Sequence, residues 1–169
     1  EGCDPNVHYR PVTYVAQTTA AAMFDQDYRL HHLAILVLHL LCAVVVYEVA
    51  TVLLASGPGA ASWGPAFAAA LYAFHPRHLE PATFIHASEN QLCAMAYFVG
   101  ILFFIKYCRS QVKVHLALSG LGYLASLLSK ESGITMPLVC AGYFALFRVD
   151  RFRLQSFIGD AVARHAVLA

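Results

Sequence analysis

The sequence predicts an all-α protein, a polytopic membrane bundle of about five transmembrane helices with interfacial amphipathic helices beside it. Hydrophobic residues make up 59% of the chain and charged residues only 12%, whereas a soluble domain carries about 25% charged residues. A soluble fold of 169 residues would leave much of this apolar surface in contact with water. A bilayer removes that cost, so we expect membrane lipids to surround the chain.

Five apolar runs define the predicted transmembrane bundle, which covers residues 30–149. The runs are residues 30–55, 62–74, 90–107, 112–128 and 133–149. The first run exceeds the roughly 20 residues that a helix needs to cross the hydrocarbon core, and the second is the shortest candidate. Residues 1–29 are expected to form an N-terminal segment on the outer face with an interfacial helix, and residues 150–169 a C-terminal segment on the cytoplasmic side.

The positions of the basic residues orient this predicted bundle. Two basic clusters are separated by two runs, which places them on the same side of the membrane: Lys106, Arg109 and Lys113 lie between the third and fourth runs, and Arg148, Arg151 and Arg153 follow the fifth. Short loops rich in Lys and Arg stay in the cytoplasm, so the N-terminus is expected on the non-cytoplasmic side and the C-terminus in the cytoplasm. This indicates an integral protein of a bacterial inner membrane or of the endoplasmic reticulum. The net charge of +1 gives no indication of a nucleic-acid partner.

One connection on the outer face carries the spacing HxxHxE, formed by His75, His78 and Glu80. Two His one helical turn apart suit a metal, but Pro76 and Pro81 disfavour a regular helix here and no fourth ligand is evident. The cysteines form no CxxC pair, and those inside apolar runs are expected to pack as small hydrophobes. We therefore expect no metal site, and we expect the two His to orient Glu80 or to bind an anionic group. Glu80 would then act as a base or position an acceptor hydroxyl.

A second connection on the outer face is the short turn that contains Lys130 and Glu131. A lysine beside the outer membrane surface suits a phosphate, such as that of a lipid-linked donor, and Arg10 can assist it. The alternative is a lysine that extends to the membrane surface and pairs with an acid. Both interpretations stay open from the residues alone.

Four segments, taken in order, resemble a known family. They read YRPVTY, DYRLHHLAILVLH, FHPRHLEPATFI and LLSKESGITMPL, and they look like the membrane part of the transmembrane-and-TPR O-mannosyltransferases and their bacterial relatives. The resemblance covers about residues 9–147, with HPxHxE and SKExG as its most specific elements. It implies the GT-C glycosyltransferase fold, in which a sugar leaves a lipid-phosphate carrier on the outer or lumenal face.

The resemblance also implies roles for individual residues. In such enzymes basic residues hold the donor phosphate while an acid activates the acceptor. The expected catalytic residues are Glu80 and His78, and the residues expected to bind the donor phosphate or substrate are Tyr9, Arg10, His32, His75, Lys130 and Glu131. His39 matches the His-rich helix of the family. The expected substrate is a polyprenyl-phosphate sugar, and no cofactor is expected.

The chain departs from the family pattern at three positions that bear on function. Ile35 stands where the family usually has Asn, and Ser88 and Asn90 stand where it usually has an Arg and an acid. The first membrane helix of the family and its acidic outer loop would precede residue 1. The chain is therefore expected to be a piece of such an enzyme, one half of a split enzyme, or a descendant without the chemistry.

Two functions follow from these expectations. The first is a GT-C-like transferase that moves a sugar from a polyprenyl-phosphate donor to a protein or glycan hydroxyl on the non-cytoplasmic face. The second is a non-catalytic scaffold that packs against other membrane subunits through small residues. A transporter is the weaker third possibility, because the polar groups gather at one face and no inverted repeat is visible.

Overall fold

A computed structural model of the chain describes residues 10–25, 27–54, 63–78 and 88–149. The α-helices are α1 (Pro11–Phe24), α2 (Tyr28–Leu54), α3 (Gly64–Phe74), α4 (Ser88–Ser110), α5 (Lys113–Ser129) and α6 (Met136–Phe144). Short turns of 3-10 helix cover Pro76–His78 and Glu131–Thr135, and a π-helical turn covers Ala145–Val149. No strand occurs within these described ranges, so the prediction of an all-α fold is confirmed for them.

Proline and left-handed backbone explain where several helices begin and end. Pro11 opens α1, where its fixed φ suits the first turn and its missing N–H is not needed. His75 ends α3 in an extended conformation because a residue before a proline avoids the helical region. Gln111 has a φ of 57° and reverses the chain between α4 and α5. The result is an antiparallel α4–α5 hairpin with a very short connection.

In the described part of the chain, two helices are long and apolar enough to cross a membrane: α2, with 27 residues, and α4, with 23. Much of α2 faces away from the rest of the protein, since Leu33, Leu40 and Val44 are about half exposed. Such a face suits contact with lipid chains. Helix α3 has 11 residues, which gives a length of about 16 Å, short of the roughly 30 Å of a hydrocarbon core. The prediction of five spans is thus supported for two helices.

The chain divides into two compact units, residues 1–134 and residues 135–169. In the first unit α2 packs on α3 and α4, while α4 packs most extensively on α5. In the second unit α6 has nine residues and a π-helical turn follows it directly, so this part of the predicted run 133–149 is helical. Tyr143 and Phe147 stack there with ring centroids 5.2 Å apart. The predicted interfacial stretch near the N-terminus forms α1, and residues 150–169 lie outside the described part.

Close contact between glycines fixes how α4 and α5 meet. A Cβ atom placed on Gly122 would lie 2.7 Å from the Cα of Gly100 and 2.9 Å from the carbonyl oxygen of Ala96. Real Cβ atoms do not approach backbone so closely, so only a glycine at position 122 permits this spacing. Helix α5 carries a matched control in Gly120, where an added Cβ would meet nothing within 4 Å.

The substitution Gly122→Ala is expected to lower the free energy of unfolding by about 1–3 kcal/mol, because it overpacks the α4–α5 contact. Gly120→Ala is expected to be neutral or to stabilise by up to about 1 kcal/mol through helix propensity. Equilibrium unfolding in mixed detergent and SDS micelles measures both values. Equal stability of the two variants would contradict this packing.

Candidate functional site

Four charged residues from distant parts of the sequence meet in what we call the ionic cluster: Arg10, Glu89, Lys130 and Glu131. Arg10 Nη1 donates to Glu89 Oε2, and Arg10 Nη2 donates to Glu131 Oε2 at 3.0 Å. Lys130 Nζ donates to the other oxygen of Glu89 at 3.2 Å. The segment before α1, the start of α4 and the end of α5 are thereby held together.

The ionic cluster is electrically balanced, with two cations and two carboxylates. The side chain of Glu89 is 19% exposed and lies in the first turn of α4, where the helix dipole stabilises a negative charge. The side chain of Glu131 is 59% exposed, so water screens its attraction to Arg10 much more. Glu89 is therefore the stronger of the two links.

A cavity of about 320 Å³ adjoins the cluster at Lys130; we call it the polar cavity. Its polar lining comes from Tyr72, Arg77, His78, Asn90, Gln91 and Lys130. Lys130 Nζ donates to Asn90 Oδ1, and among the described residues no carboxylate pairs with the guanidinium of Arg77. Because the charged groups on its wall are cations, the cavity suits an anionic ligand.

A buried hydrogen-bond network lies beneath the polar cavity and joins α2, α3 and α4. His39 Nε2 contacts the carbonyl oxygen of Ala73 at 3.1 Å, and since a carbonyl only accepts, this nitrogen carries the proton. His39 Nδ1 then accepts from Gln91 Nε2 at 3.0 Å, while Tyr72 donates its hydroxyl to Gln91 Oε1 at 3.3 Å. Gln91 is 1% exposed, so this network is a structural support of the cavity floor.

His78 links the network to the cavity through ring contacts. Its ring centroid lies 4.3 Å from that of Tyr72, 6.0 Å from that of His39 and 5.9 Å from that of His75. Burial lowers the pKa of His78 below its usual value, and the neighbouring His39, His75 and Arg77 lower it further. His78 is therefore neutral at pH 7 and offers one donor and one acceptor nitrogen.

An open apolar groove of about 350 Å³ lies between α1, α2 and the start of α4. Its walls include Ala16, Ala20, Ala34, Ile35, Leu38 and Leu92. Gln17 Nε2 donates to Ser88 Oγ at 3.3 Å at its polar edge. The small alanines of α1 leave room for a slender apolar chain.

The structure brings together some of the residues that the sequence singled out. Arg10, Lys130 and Glu131 meet in the ionic cluster, and His78 lines the polar cavity with His75 against it. His32 does not join them, because it is exposed on α2 while His39 occupies the buried face. Tyr9 and Glu80 lie outside the described residues. Among the described residues, no group of three metal-ligating side chains gathers.

The predicted site residues did not include Glu89, the central residue of the cluster, or Arg77 and Gln91 of the cavity wall. An acid in the first turn of α4 was visible in the sequence, but its pairing with Arg10 depends on contacts between distant segments. Of the positions that depart from the family pattern, Asn90 accepts a hydrogen bond from Lys130 at the cavity, and Ser88 accepts one from Gln17 at the edge of the apolar groove.

The substitution Glu89→Gln is expected to lower the free energy of unfolding by about 1–3 kcal/mol, because Arg10 and Lys130 would keep their partly buried charges with one acid fewer. Glu131→Gln is the matched control and is expected to cost less than about 1 kcal/mol, since its pair is exposed. Equilibrium SDS titration measures both, and a larger loss for Glu131→Gln would refute the ranking.

The lowered pKa of His78 gives stability a pH dependence of known sign. The unfolded chain binds a proton near pH 6.5, whereas the folded chain resists it, so stability is fully present above that pH and falls as the pH drops through the folded pKa. Between pH 7.5 and 5.5 the native chain is expected to lose more unfolding free energy than His78→Gln. Parallel profiles of unfolding free energy against pH for the two proteins would show that folding does not lower the pKa of His78.

One comparison with known proteins bears on this arrangement. The chain is similar to the protein O-mannosyl-transferase Tmtc2 of Drosophila melanogaster, with 33% identity over 136 residues. The match covers 74% of this chain and 14% of the length of that relative. No protein-family model matches the chain, and no solved structure matches it. This similarity to an O-mannosyl-transferase agrees with the resemblance of the sequence motifs.

Proposed function

We propose that the chain is a GT-C-like membrane glycosyltransferase fragment or homologue that transfers a sugar from a polyprenyl-phosphate donor to a protein or glycan hydroxyl. The observation that carries this proposal is the polar cavity with Arg77 and Lys130 in its wall, which Glu89 joins to Arg10. The relationship to Tmtc2, itself described as a transferase, supports the reaction class.

In the proposed reaction, the acceptor hydroxyl oxygen attacks the anomeric carbon of the donor sugar. The bond between that carbon and the phosphate oxygen breaks, and the polyprenyl phosphate leaves as an anion. Lys130 and Arg10 stabilise the negative charge on the phosphate, with Arg77 as a further donor from the cavity wall. Glu80 takes the hydroxyl proton, and His78, which is neutral, hydrogen-bonds the reacting groups.

The remaining predicted site residues have binding roles in this proposal. Tyr9 and His75 contact the donor or acceptor beside Arg10 and His78, and Glu131 contacts the Arg10 guanidinium at the phosphate site. His32 would contact the substrate from the exposed side of α2. The apolar groove between α1 and α2 offers space for part of the prenyl chain, since its walls are almost entirely apolar.

We further propose five membrane-embedded helices, of which α3 is too short to cross the hydrocarbon core by itself, with the ionic cluster on the non-cytoplasmic side. The start of α4 and the end of α5 carry the cluster, whereas Lys106, Arg109 and Lys113 lie at the other end of this hairpin. Arg109 donates to the carbonyl of Val52 near the end of α2, so α2 ends there too. A basic end opposite the polar cavity fits the rule that places positive charge in the cytoplasm.

One observation favours the alternative, a non-catalytic scaffold subunit. Arg10 and Lys130 are already paired with carboxylates, so the ionic cluster is satisfied without a ligand. In that case the exposed apolar helices would pack against other membrane subunits. Purification from native membranes with a stoichiometric protein partner, and with no bound lipid phosphate, would favour the scaffold.

The transferase proposal is tested by Lys130→Ala, which is expected to reduce sugar transfer in membranes by about 100-fold or more, as loss of one donor to a developing anion does. Lys106→Ala is the control, because it removes a lysine of the same α4–α5 hairpin at the opposite end. The assay follows radiolabelled sugar from a polyprenyl-phosphate donor into protein. Full transfer by a folded Lys130→Ala chain would exclude the proposal.

A further inference from the structure

The guanidinium of Arg10 has both of its usable edges filled by carboxylates of the protein. Its Nε and Nη2 atoms donate to Glu131 Oε1 at 3.3 Å and 3.1 Å, and Nη2 also donates to Glu131 Oε2 at 3.0 Å. Its Nη1 atom donates to Glu89. A phosphate that takes two parallel hydrogen bonds from Arg10 must therefore displace one of these acids.

The two acids differ in how readily they can leave. Glu89 is the less exposed, and its second oxygen is bound to Lys130, so its departure would break two charge pairs. Glu131 is 59% exposed and sits in a short 3-10 turn, so water screens its attraction to Arg10. The displaced acid is thus Glu131.

We propose that Glu131 is an exchangeable occupant of the Arg10 guanidinium, which a lipid-linked phosphodiester displaces when it binds. The inference rests on the proposed function and adds a regulatory role for one residue of that site. A phosphodiester carries one negative charge, as the Glu131 carboxylate does, so the exchange leaves the charge balance of the ionic cluster unchanged. Glu89 stays bound to Arg10 and Lys130 and keeps both cations in place.

If the exchange occurs, substitution of Glu131 changes the affinity for the phosphodiester in the direction opposite to substitution of a residue that binds it. Removing the charge of Glu131 removes a competitor for Arg10, so the phosphodiester should bind more tightly. An exposed pair of this kind corresponds to a gain of about two- to fivefold in affinity. If Glu131 instead positions Arg10 for the ligand, the same substitution weakens binding.

The test uses the full 169-residue chain in phosphatidylcholine nanodiscs at low salt. Calorimetric titration with hexosyl farnesyl phosphate, a short lipid-linked phosphodiester, is compared for the native chain, Glu131→Gln, Glu131→Ala and Glu131→Asp. Farnesyl hexoside, which lacks the phosphate, controls for binding by the lipid and the sugar alone. Unfolding temperatures of all variants are measured in parallel.

We expect Glu131→Gln and Glu131→Ala to bind the farnesyl compound more tightly than the native chain does. Glu131→Asp should bind it with an affinity near the native value. Binding that these variants weaken or leave unchanged overturns the exchange and leaves the transferase proposal standing. No binding by any chain overturns both. Replacing a tenth of the lipid by phosphatidylglycerol distinguishes the two sources of a phosphodiester: if this abolishes binding of the farnesyl compound, the exchange holds for phospholipid headgroups and the donor assignment falls.

Discussion

The contact of Glu89 with both Arg10 and Lys130 determines where three segments of the first unit lie. Arg10 precedes α1, Glu89 opens α4 and Lys130 follows α5, so the contact sets the end of the bundle at which all three meet. In an apolar chain, charges that are only about one-fifth exposed need partners. The same pairing that satisfies this need also holds Lys130 at the wall of the polar cavity.

The helix hairpin below the cluster makes this pairing geometrically possible. Gly122 and Gly100 bring α5 against α4 at backbone distance, and from that contact both helices run towards the cluster. Glu89 lies 11 residues before Gly100 and Lys130 lies eight residues after Gly122, which corresponds to about 16 Å and 12 Å along the two helices. The glycine contact therefore sets the register that the ionic cluster requires.

The sequence predicted the helices more completely than it predicted their contacts. Apolar runs located α2, α4 and α5, because a run of hydrophobic residues is a local signal. The short length of α3 was also visible in the run between two proline-containing turns. The pairing of Arg10 with both Glu89 and Glu131 was not visible, because it joins segments that are distant in the sequence.

The adjacent residues His31 and His32 also show that the sequence pattern did not reveal which side chains meet. The motif resemblance selected His32, yet the spacing of 31, 35 and 39 defines the face of α2 on which Ile35 and His39 are buried. His31 lies on that face, with its ring 5.5 Å from Phe24 of α1. Helical periodicity would have favoured His31. The family pattern gives only the order of residue types along the chain and does not say which face of a helix each residue occupies.

The polar residues of the first unit fall into two groups, and substitutions in the two groups are expected to have different effects. His39, Gln91 and Tyr72 satisfy one another inside the bundle, so their substitution acts first on stability. At the cavity wall, by contrast, Lys130 has three N–H donors and two named acceptors, and Arg77 has no carboxylate partner among the described residues. Available donors at the cavity wall, above buried residues that satisfy one another, suit an anionic ligand.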